Sequence, residues 1–323
     1  MSAPMPPPPS PAAATGAPQA QAQPEQPAAQ QEAAPARSGP GSFDSLHNEI
    51  RGVLPAFMVF QGARFAFQKP VGQHLALTHS IILNGKESAY KLQPTYIGTM
   101  RQKSPQESFP ICIGEVDHAG RLMANIIHEA TDNIKLKYQL QTDGSDVVGT
   151  ALETEFAGSD FSAGLKMLNV NPAKNKGTWI LNYLQRVTSR FSLGAELQYQ
   201  YMANLTEYSG LNFGGKYQTP DWLLAVTASP VGIMQASYVH QIAKNTTAGC
   251  ELEMHLPQRQ VQASVGVQYS FKNSTFRGQI TSGGVVMGYF EKQLVPAFTF
   301  IVSAILDHVK SETVFGLGLQ IGQ

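Results

Sequence analysis

The chain has 323 residues, with 23 Lys and Arg against 23 Asp and Glu, so its formal net charge is zero. This balance gives no basic field that would indicate nucleic acid and no acidic tail. Charged residues make up only 14% of the chain, well below the roughly 25% of soluble domains. A barrel in lipid needs polar residues only in its lumen and loops, so the deficit favours a membrane protein over a soluble all-β protein.

Residues 1–40 consist mostly of Pro, Ala and Gln, and the charged residues among them are Glu25, Glu32 and Arg37. This composition predicts a disordered tail. Neither an apolar signal sequence nor an Arg-rich amphipathic presequence is evident. The expectation is therefore an organelle barrel made on cytosolic ribosomes, and not a bacterial porin.

Residues 41–57 are predicted to form one amphipathic helix that packs in the lumen and runs from about Ser42 to Gly52. Ser42 suits the N-cap, Asp44 suits the first turn, and Pro55 ends the helix. Residues at helical spacing form one apolar stripe: Phe43, Leu46, Ile50 and Val53. A single helix ahead of an all-strand region has to bury this stripe, and the inner wall of a barrel is the expected partner.

Residues 58–323 read as strand after strand, each about ten residues long and separated by short turns. No run approaches the roughly 18 apolar residues of a membrane helix, so a membrane-spanning form has to be a closed sheet. The clearest strand is the last, where Phe315, Leu317, Leu319 and Ile321 alternate with Gly316, Gly318, Gln320 and Gly322. The pattern predicts an all-β transmembrane barrel with apolar sides in lipid and polar sides around water.

Five glutamates lie on the polar faces of these strands: Glu153, Glu155, Glu196, Glu251 and Glu253. In a barrel they point into the lumen, as do several lysines. Two interpretations remain open. The charges balance one another as solvated pairs, or the carboxylates form an acidic track that weakly attracts a cationic amphipathic peptide.

Motifs for bond chemistry are missing from the sequence. It contains no nucleophile elbow, phosphate loop, H-E-x-x-H or paired-Cys site, and Cys112 and Cys250 lack metal-ligand spacing. The glycines near the C-terminus lie within a strand with no helix after it, which excludes a dinucleotide loop. We therefore expect no catalytic residue, metal or cofactor, and no enzyme activity.

Several short segments resemble the channel-forming subunits of the mitochondrial outer-membrane protein translocase, the TOM complex, within the eukaryotic porin superfamily. They are Pro40–Phe43, Tyr96–Thr99, Ser104–Pro110, Ile113–Asp117, Gly158–Phe161, Gly194–Leu197 and Phe315–Gly322. The resemblance implies nineteen strands closed by a parallel pairing of the first and last, with an internal helix before the first. It places both termini on the intermembrane-space side of the mitochondrial outer membrane.

The resemblance also implies a function and partners. The function is passive conduction of unfolded precursor proteins from the cytosol to the intermembrane space. The partners are receptors and small transmembrane subunits, outer-membrane lipid, and further copies of the pore within one hetero-oligomer. The last strand then carries a sorting signal, which Gly316, Leu319 and Ile321 fit, although Val314 occupies its polar position.

The alternative is the voltage-dependent anion channel of the same membrane, which has a similar fold. An anion pore is expected to have a net basic lumen, whereas this chain is neutral and carries a cluster of inward glutamates. The long tail also argues against that alternative.

Overall fold

The computed structural model describes residues 39–85, 87–104, 107–144, 146–171, 176–202 and 207–322. The predicted tail, 1–40, therefore lies outside the described residues except for its last two. Among the described residues no helix is both long enough and apolar enough to cross a membrane.

Nineteen strands in the described residues close into one sheet, which confirms the predicted all-β barrel. Each strand is antiparallel to its neighbours in sequence, whereas β1 and β19 pair in parallel, with Gly62 opposite Gly316 and Phe67 opposite Ile321. In an up-and-down barrel an odd number of strands leaves the first and last running in the same direction, so the closing pair has to be parallel. The strands are β1 Gly62–Pro70, β2 Leu75–Asn84, β3 Glu87–Ser104, β4 Glu107–Asp117, β5 Leu122–Thr131, β6 Ile134–Asp143, β7 Asp146–Ala157, β8 Phe161–Asn171, β9 Lys176–Arg186, β10 Phe191–Met202, β11 Tyr208–Gln218, β12 Trp222–Ala228, β13 Ile233–Ala243, β14 Thr246–His255, β15 Gln260–Ser270, β16 Ser274–Thr281, β17 Val285–Val295, β18 Phe298–Asp307 and β19 Glu312–Ile321.

The outer face of the barrel is apolar, the reverse of a soluble protein. Phe315, Val265 and Ile280 are 63%, 61% and 62% exposed and point outwards. Their sequence neighbours Gly316, Ser264 and Gln279 point inwards and are buried or nearly so. The period-two alternation therefore separates a lipid-facing surface from a polar lumen.

The residues before β1, 39–61, form an N-terminal segment inside the barrel. Instead of one continuous helix, the structure has a 3₁₀ turn at Phe43–Ser45, a helix α1 at Asn48–Val53 and a second 3₁₀ turn at Pro55–Phe57. His47 breaks the first junction with φ −103° and ψ 9°. Leu54 is extended because the ring of Pro55 restricts the residue before it. Pro55 starts the second 3₁₀ turn, and β1 begins at Gly62, not at residue 58.

The apolar core of the described chain lies between this segment and one arc of the inner wall. Two buried clusters form it: Phe43, Leu46, Leu184, Leu223 and Ala225, and then Ile50, Val53, Leu54 and Val239. The helical pieces pack against β9 and β10 and against β13 to β17. We call the inner faces of β9–β17 the covered wall, and the inner faces of β2–β6 the open wall.

Glycines on the covered wall make room for the segment. A Cβ added at Gly214, Gly249 or Gly266 would lie closer than 3.0 Å to a side-chain atom of Phe43, Ile50 or Leu54, respectively. Real Cβ atoms essentially never come so close. Each apolar side chain of the segment therefore occupies the space that a glycine leaves on a strand.

Candidate functional site

The lumen is the candidate site, and the five predicted glutamates all lie on its inner faces. They fall into two groups that differ in their partners. Glu153 and Glu155 on β7 are ion-paired, whereas Glu196 on β10 and Glu251 and Glu253 on β14 have amide neighbours.

The β7 pair belongs to an ion network that reaches the N-terminal segment. Lys137 Nζ lies 3.3 Å from Glu153 Oε2 and 3.1 Å from Glu155 Oε1. Lys166 Nζ lies 3.7 Å from Glu153 Oε1 and 2.7 Å from Asp44 Oδ1. Two lysines thus compensate most of the charge of three carboxylates, and Asp44 joins the first 3₁₀ turn to the wall.

The other three glutamates accept hydrogen bonds from neutral groups or face them. Asn212 Nδ2 donates to Glu196 Oε1 at 3.0 Å, and Gln235 Nε2 donates to Glu251 Oε1 at 2.7 Å. Glu253 lies between two glutamines of the adjacent strands, Gln235 and Gln262. Within the described residues, no Lys or Arg forms an ion pair with any of these three carboxylates. Arg51 of α1 still acts electrostatically on Glu251, so among these three carboxylates the charge available to a passing cation lies mainly on Glu196 and Glu253.

The predicted helix stripe lies against the covered wall. Phe43, Leu46 and Ile50 are 7%, 1% and 0% exposed. Burying a side chain of this kind contributes roughly 1.5–3 kcal/mol. Together with the Asp44 contacts, this packing places the segment along the wall of the lumen.

Sequence reasoning missed His47, which holds the junction between the first 3₁₀ turn and α1. Its Nδ1 lies 2.7 Å from Ser237 Oγ and its Nε2 lies 3.2 Å from Thr227 Oγ1, both on the covered wall. Burial, with a smaller contribution from Arg51, lowers the pKa of His47 from 6.5 to about 4. The available signal was its position, four residues after Phe43 and three before Ile50, on the apolar stripe.

Arg277 was also missed, because on the sequence it resembles any other charge on a polar strand face. Its Nε donates to Gly52 O at 2.9 Å, and its guanidinium lies 5.8 Å from the centre of the Tyr289 ring. It therefore binds a carbonyl in the last turn of α1, where a cation is favourable.

The three residues of the sorting-signal prediction lie on opposite faces of β19. Gly316 points inwards, and an added Cβ there would lie closer than 3.0 Å to the Phe60 carbonyl oxygen and to Ser303 Oγ. Leu319 and Ile321 point outwards, opposite Phe65 and Phe67 of β1. Gly316 thus has a packing role at the closing seam, whatever reads the strand during insertion.

No group of His, Cys, Asp and Glu in the described part of the chain could hold a metal ion. The chemistry that the lumen does offer is electrostatic and apolar. Its glutamates on β10 and β14 attract cations, and its open wall carries inward isoleucines: Ile97, Ile111, Ile113 and Ile127.

The sequence matches known proteins over most of its length. The eukaryotic porin family model matches residues 39–318. The chain is 32% identical to the mitochondrial import receptor subunit TOM40 homolog 2 of Drosophila melanogaster, covering 89% of this chain and 85% of that protein. It is 31% identical to the TOM40 homolog of Homo sapiens, over 91% and 81% of the two chains. For the TOM40 homolog of Caenorhabditis elegans the identity is 29%, over 88% and 95%.

Solved structures show a more distant likeness. A variant of the Rh. blastica porin covers 77% of this chain and 100% of its own, with 12% identity and a TM-score of 0.47. A likeness at that level carries no argument about function.

Proposed function

Because this chain belongs to the eukaryotic porin family and, within it, to the TOM40 proteins, we propose that it is a protein-conducting channel of the mitochondrial outer membrane. It passes unfolded precursor proteins from the cytosol to the intermembrane space. The observation that carries the proposal is a closed barrel whose N-terminal segment packs on one arc of the wall. The relatives bear TOM40 names, and the anion-channel alternative is not favoured.

The channel acts by replacing hydrocarbon with a polar path, and it performs no bond chemistry. An extended polypeptide crossing lipid would lose the hydrogen bonds between its backbone and water, at several kcal/mol for each unsatisfied group. A water-filled lumen removes this penalty. The chain then needs no catalytic residue, and its wall has only to bind a precursor weakly enough to release it.

The acidic track that binds basic presequences is centred on β14 in this proposal. Glu251 and Glu253 follow one another on the inner face and are bonded to or flanked by glutamine amides. Glu196 adds a third carboxylate on β10. Glu153 and Glu155 contribute less, because Lys137 and Lys166 already compensate them.

Apolar precursor segments bind to the open wall. Ile111 and Ile127 are directly opposite each other on β4 and β5, and Ile97 is directly opposite Ile111 on β3. Ile97 is 41% exposed. Such a patch contacts an apolar side chain over a small area only, which keeps residence short.

The same proposal includes the partners that the family implies. Receptors and small transmembrane subunits attach outside the barrel, and more than one copy of the pore assembles in the hetero-oligomer. Both termini then lie on the intermembrane-space side. Two contacts at the same rim of the barrel support this arrangement. Gly39 lies next to Gly158, and the Gly322 amide donates to the Ala297 carbonyl.

Bilayer recordings of the purified full chain test the proposal with a basic presequence peptide and a matched peptide in which Gln replaces every Lys and Arg. We expect the basic peptide alone to interrupt the current. The double variant Glu251→Gln, Glu253→Gln removes two carboxylates. Each contributes roughly 0.5–1 kcal/mol to the binding of a basic peptide in an aqueous setting. The blocking concentration should therefore rise about 5- to 30-fold, and less at high salt.

A control removes charge from the lumen without changing its net value. Lys137→Gln with Glu155→Gln removes one cation and one carboxylate, and with them both ion pairs of Lys137, and block should stay within about twofold of wild type. Equal weakening in both double variants would refute the β14 site. Absence of block by the basic peptide in the wild-type protein would refute the protein-conducting channel itself.

A further inference from the structure

The half of the lumen farther from Gly39 is lined by side-chain amides. The N-terminal segment packs on β14 at Gly249 and on β15 at Gly266. Consecutive turns alternate between the two rims, so the turns after β6, β10 and β14 lie at the rim opposite Gly39. Close to that rim, three strands each carry two glutamines separated by one residue, which we call the amide pairs: Gln139 and Gln141 on β6, Gln198 and Gln200 on β10, and Gln260 and Gln262 on β15.

The strand register fixes the inward direction of the amide pairs. Gln139 follows Lys137 by two residues, and the Lys137 ammonium binds the lumen carboxylates of β7. The pair on β10 continues the face of Glu196. On β15, Gln262 is opposite Glu253 of β14. Because side chains that are two residues apart in a strand share a face, both members of each pair point into the lumen.

The amide pairs have few partners in the wall. On β10, Gln198 lies between Ile180 and Gly210 of the adjacent strands, neither of which has a polar side-chain group. Within the described residues, five of the six amides take part in no side-chain hydrogen bond: Gln139, Gln198, Gln200, Gln260 and Gln262. These five side chains are half-buried or exposed. Their donors and acceptors are therefore open to a chain in the lumen.

An amide differs from the other polar groups of the lumen in what it can bind. It carries two donors, one acceptor oxygen and no charge, so it pairs with either the N–H or the C=O of a peptide group. A carboxylate only accepts and an ammonium only donates, and each selects for charge. Neutral amides therefore suit the part of a polypeptide that is the same in every sequence.

The spacing within each amide pair matches an extended polypeptide. Residues that are two apart in a strand are separated by about 6.6 Å. The peptide groups that an extended chain directs to one side recur at the same interval. A chain that follows β6, β10 or β15 can therefore bond to both members of a pair without leaving its extended form.

From this arrangement we propose that the amide pairs bind the backbone of an extended polypeptide as it passes, irrespective of its side chains. They bind the uncharged stretches that follow a basic presequence, which the glutamates do not attract. This role rests on the proposed function and adds a ligand class to the same lumen. Each bond replaces a bond to water and contributes little, so the chain is held briefly and can move on.

Dwell times in bilayer recordings of the purified full chain test the proposal. Two peptides share a basic head that enters the channel and a short tail of Ser and Gly. In the second peptide, ester bonds replace the peptide bonds of the tail, which removes each N–H and leaves the side chains unchanged. We expect the ester tail to shorten block of the wild-type protein about fivefold, because at least two hydrogen bonds are lost. Equal dwell times would overturn the proposal.

Two sets of variants locate the contact. Met in place of all six glutamines of the amide pairs should lower the ratio of the two dwell times from about five to about one. The control set makes the same change at inward glutamines with no second amide two residues away: Gln68→Met, Gln93→Met and Gln320→Met. The control set should keep the wild-type ratio, and an equal fall in both sets would refute the amide pairs.

The wild-type comparison decides if the six-residue variant fails to assemble. A basic head that never blocks the channel would refute the protein-conducting channel. Block by the basic head with equal dwell times for the two tails would refute the amide pairs alone.

Discussion

Replacing Gly249 by Ala is the sharpest probe of how the N-terminal segment is held. The added methyl would lie closer than 3.0 Å to Ile50 Cδ1 and 3.1 Å from the Tyr238 carbonyl oxygen. Ile50 is fully buried and cannot move aside freely. Overpacking of this kind destabilises by about 1–3 kcal/mol, which corresponds to roughly 5- to 150-fold more frequent opening of the segment.

Hydrogen exchange of residues 48–57 in the full chain measures this opening, because the Leu54 amide bonds to the Ile50 carbonyl at 2.9 Å. Ile50→Val alone should cost about 0.5–1.5 kcal/mol. It also removes the Cδ1 atom, so the double variant should be less perturbed than the sum of the two single variants by about 1 kcal/mol. Gly288→Ala is the control, since nothing lies within 4 Å of its added methyl. Strict additivity, or unchanged exchange in Gly249→Ala, would refute the packing argument.

Three further predictions concern single contacts. Because docking lowers the pKa of His47, docking is strongest above pH 6.5 and weakens as the pH falls towards 4, by about 2 kcal/mol at pH 5. The protection of residues 48–57 against hydrogen exchange, compared at pH 7 and pH 5, checks this, and His47→Asn should abolish the loss of protection at pH 5. Arg277→Ala removes the bond to the Gly52 carbonyl and should loosen residues 52–57 by about 1.5–3 kcal/mol, with Arg277→Lys intermediate; identical exchange in all three proteins would contradict this. Gly316→Ala should lower the yield of assembled barrel, while a peptide of residues 312–323 with the same change should still bind the insertion machinery; lost peptide binding would instead indicate a sorting role.

An off-centre N-terminal segment has consequences for the lumen. It covers the wall near Glu251, and the isoleucines of the open wall lie on the remaining arc. Under the proposed function, a passing polypeptide therefore meets the isoleucines of the open wall on one side and, on the other, the segment with Glu251 partly exposed beside it. This arrangement suits precursors that contain both basic and apolar segments.

Strand alternation alone determined which side chains face lipid. A strand has period two, so Leu197 and Gln198 cannot share a face, and the 14% of charged residues left too few to cover a soluble surface. The same alternation placed all five glutamates in the lumen. The strand count and the parallel closure came from the family resemblance, because neither is a local property.

Only the tertiary structure decided which charges are compensated and how the segment is shaped. Lys137 and Glu155 are 18 positions apart, and Asp44 meets Lys166 across the barrel interior, so their pairing depends on strand register. At His47, where the helical path is interrupted, two hydroxyls about 180 and 190 positions away lie within hydrogen-bond distance of the ring. Local sequence sets the direction in which a side chain points, whereas long-range register sets what it meets.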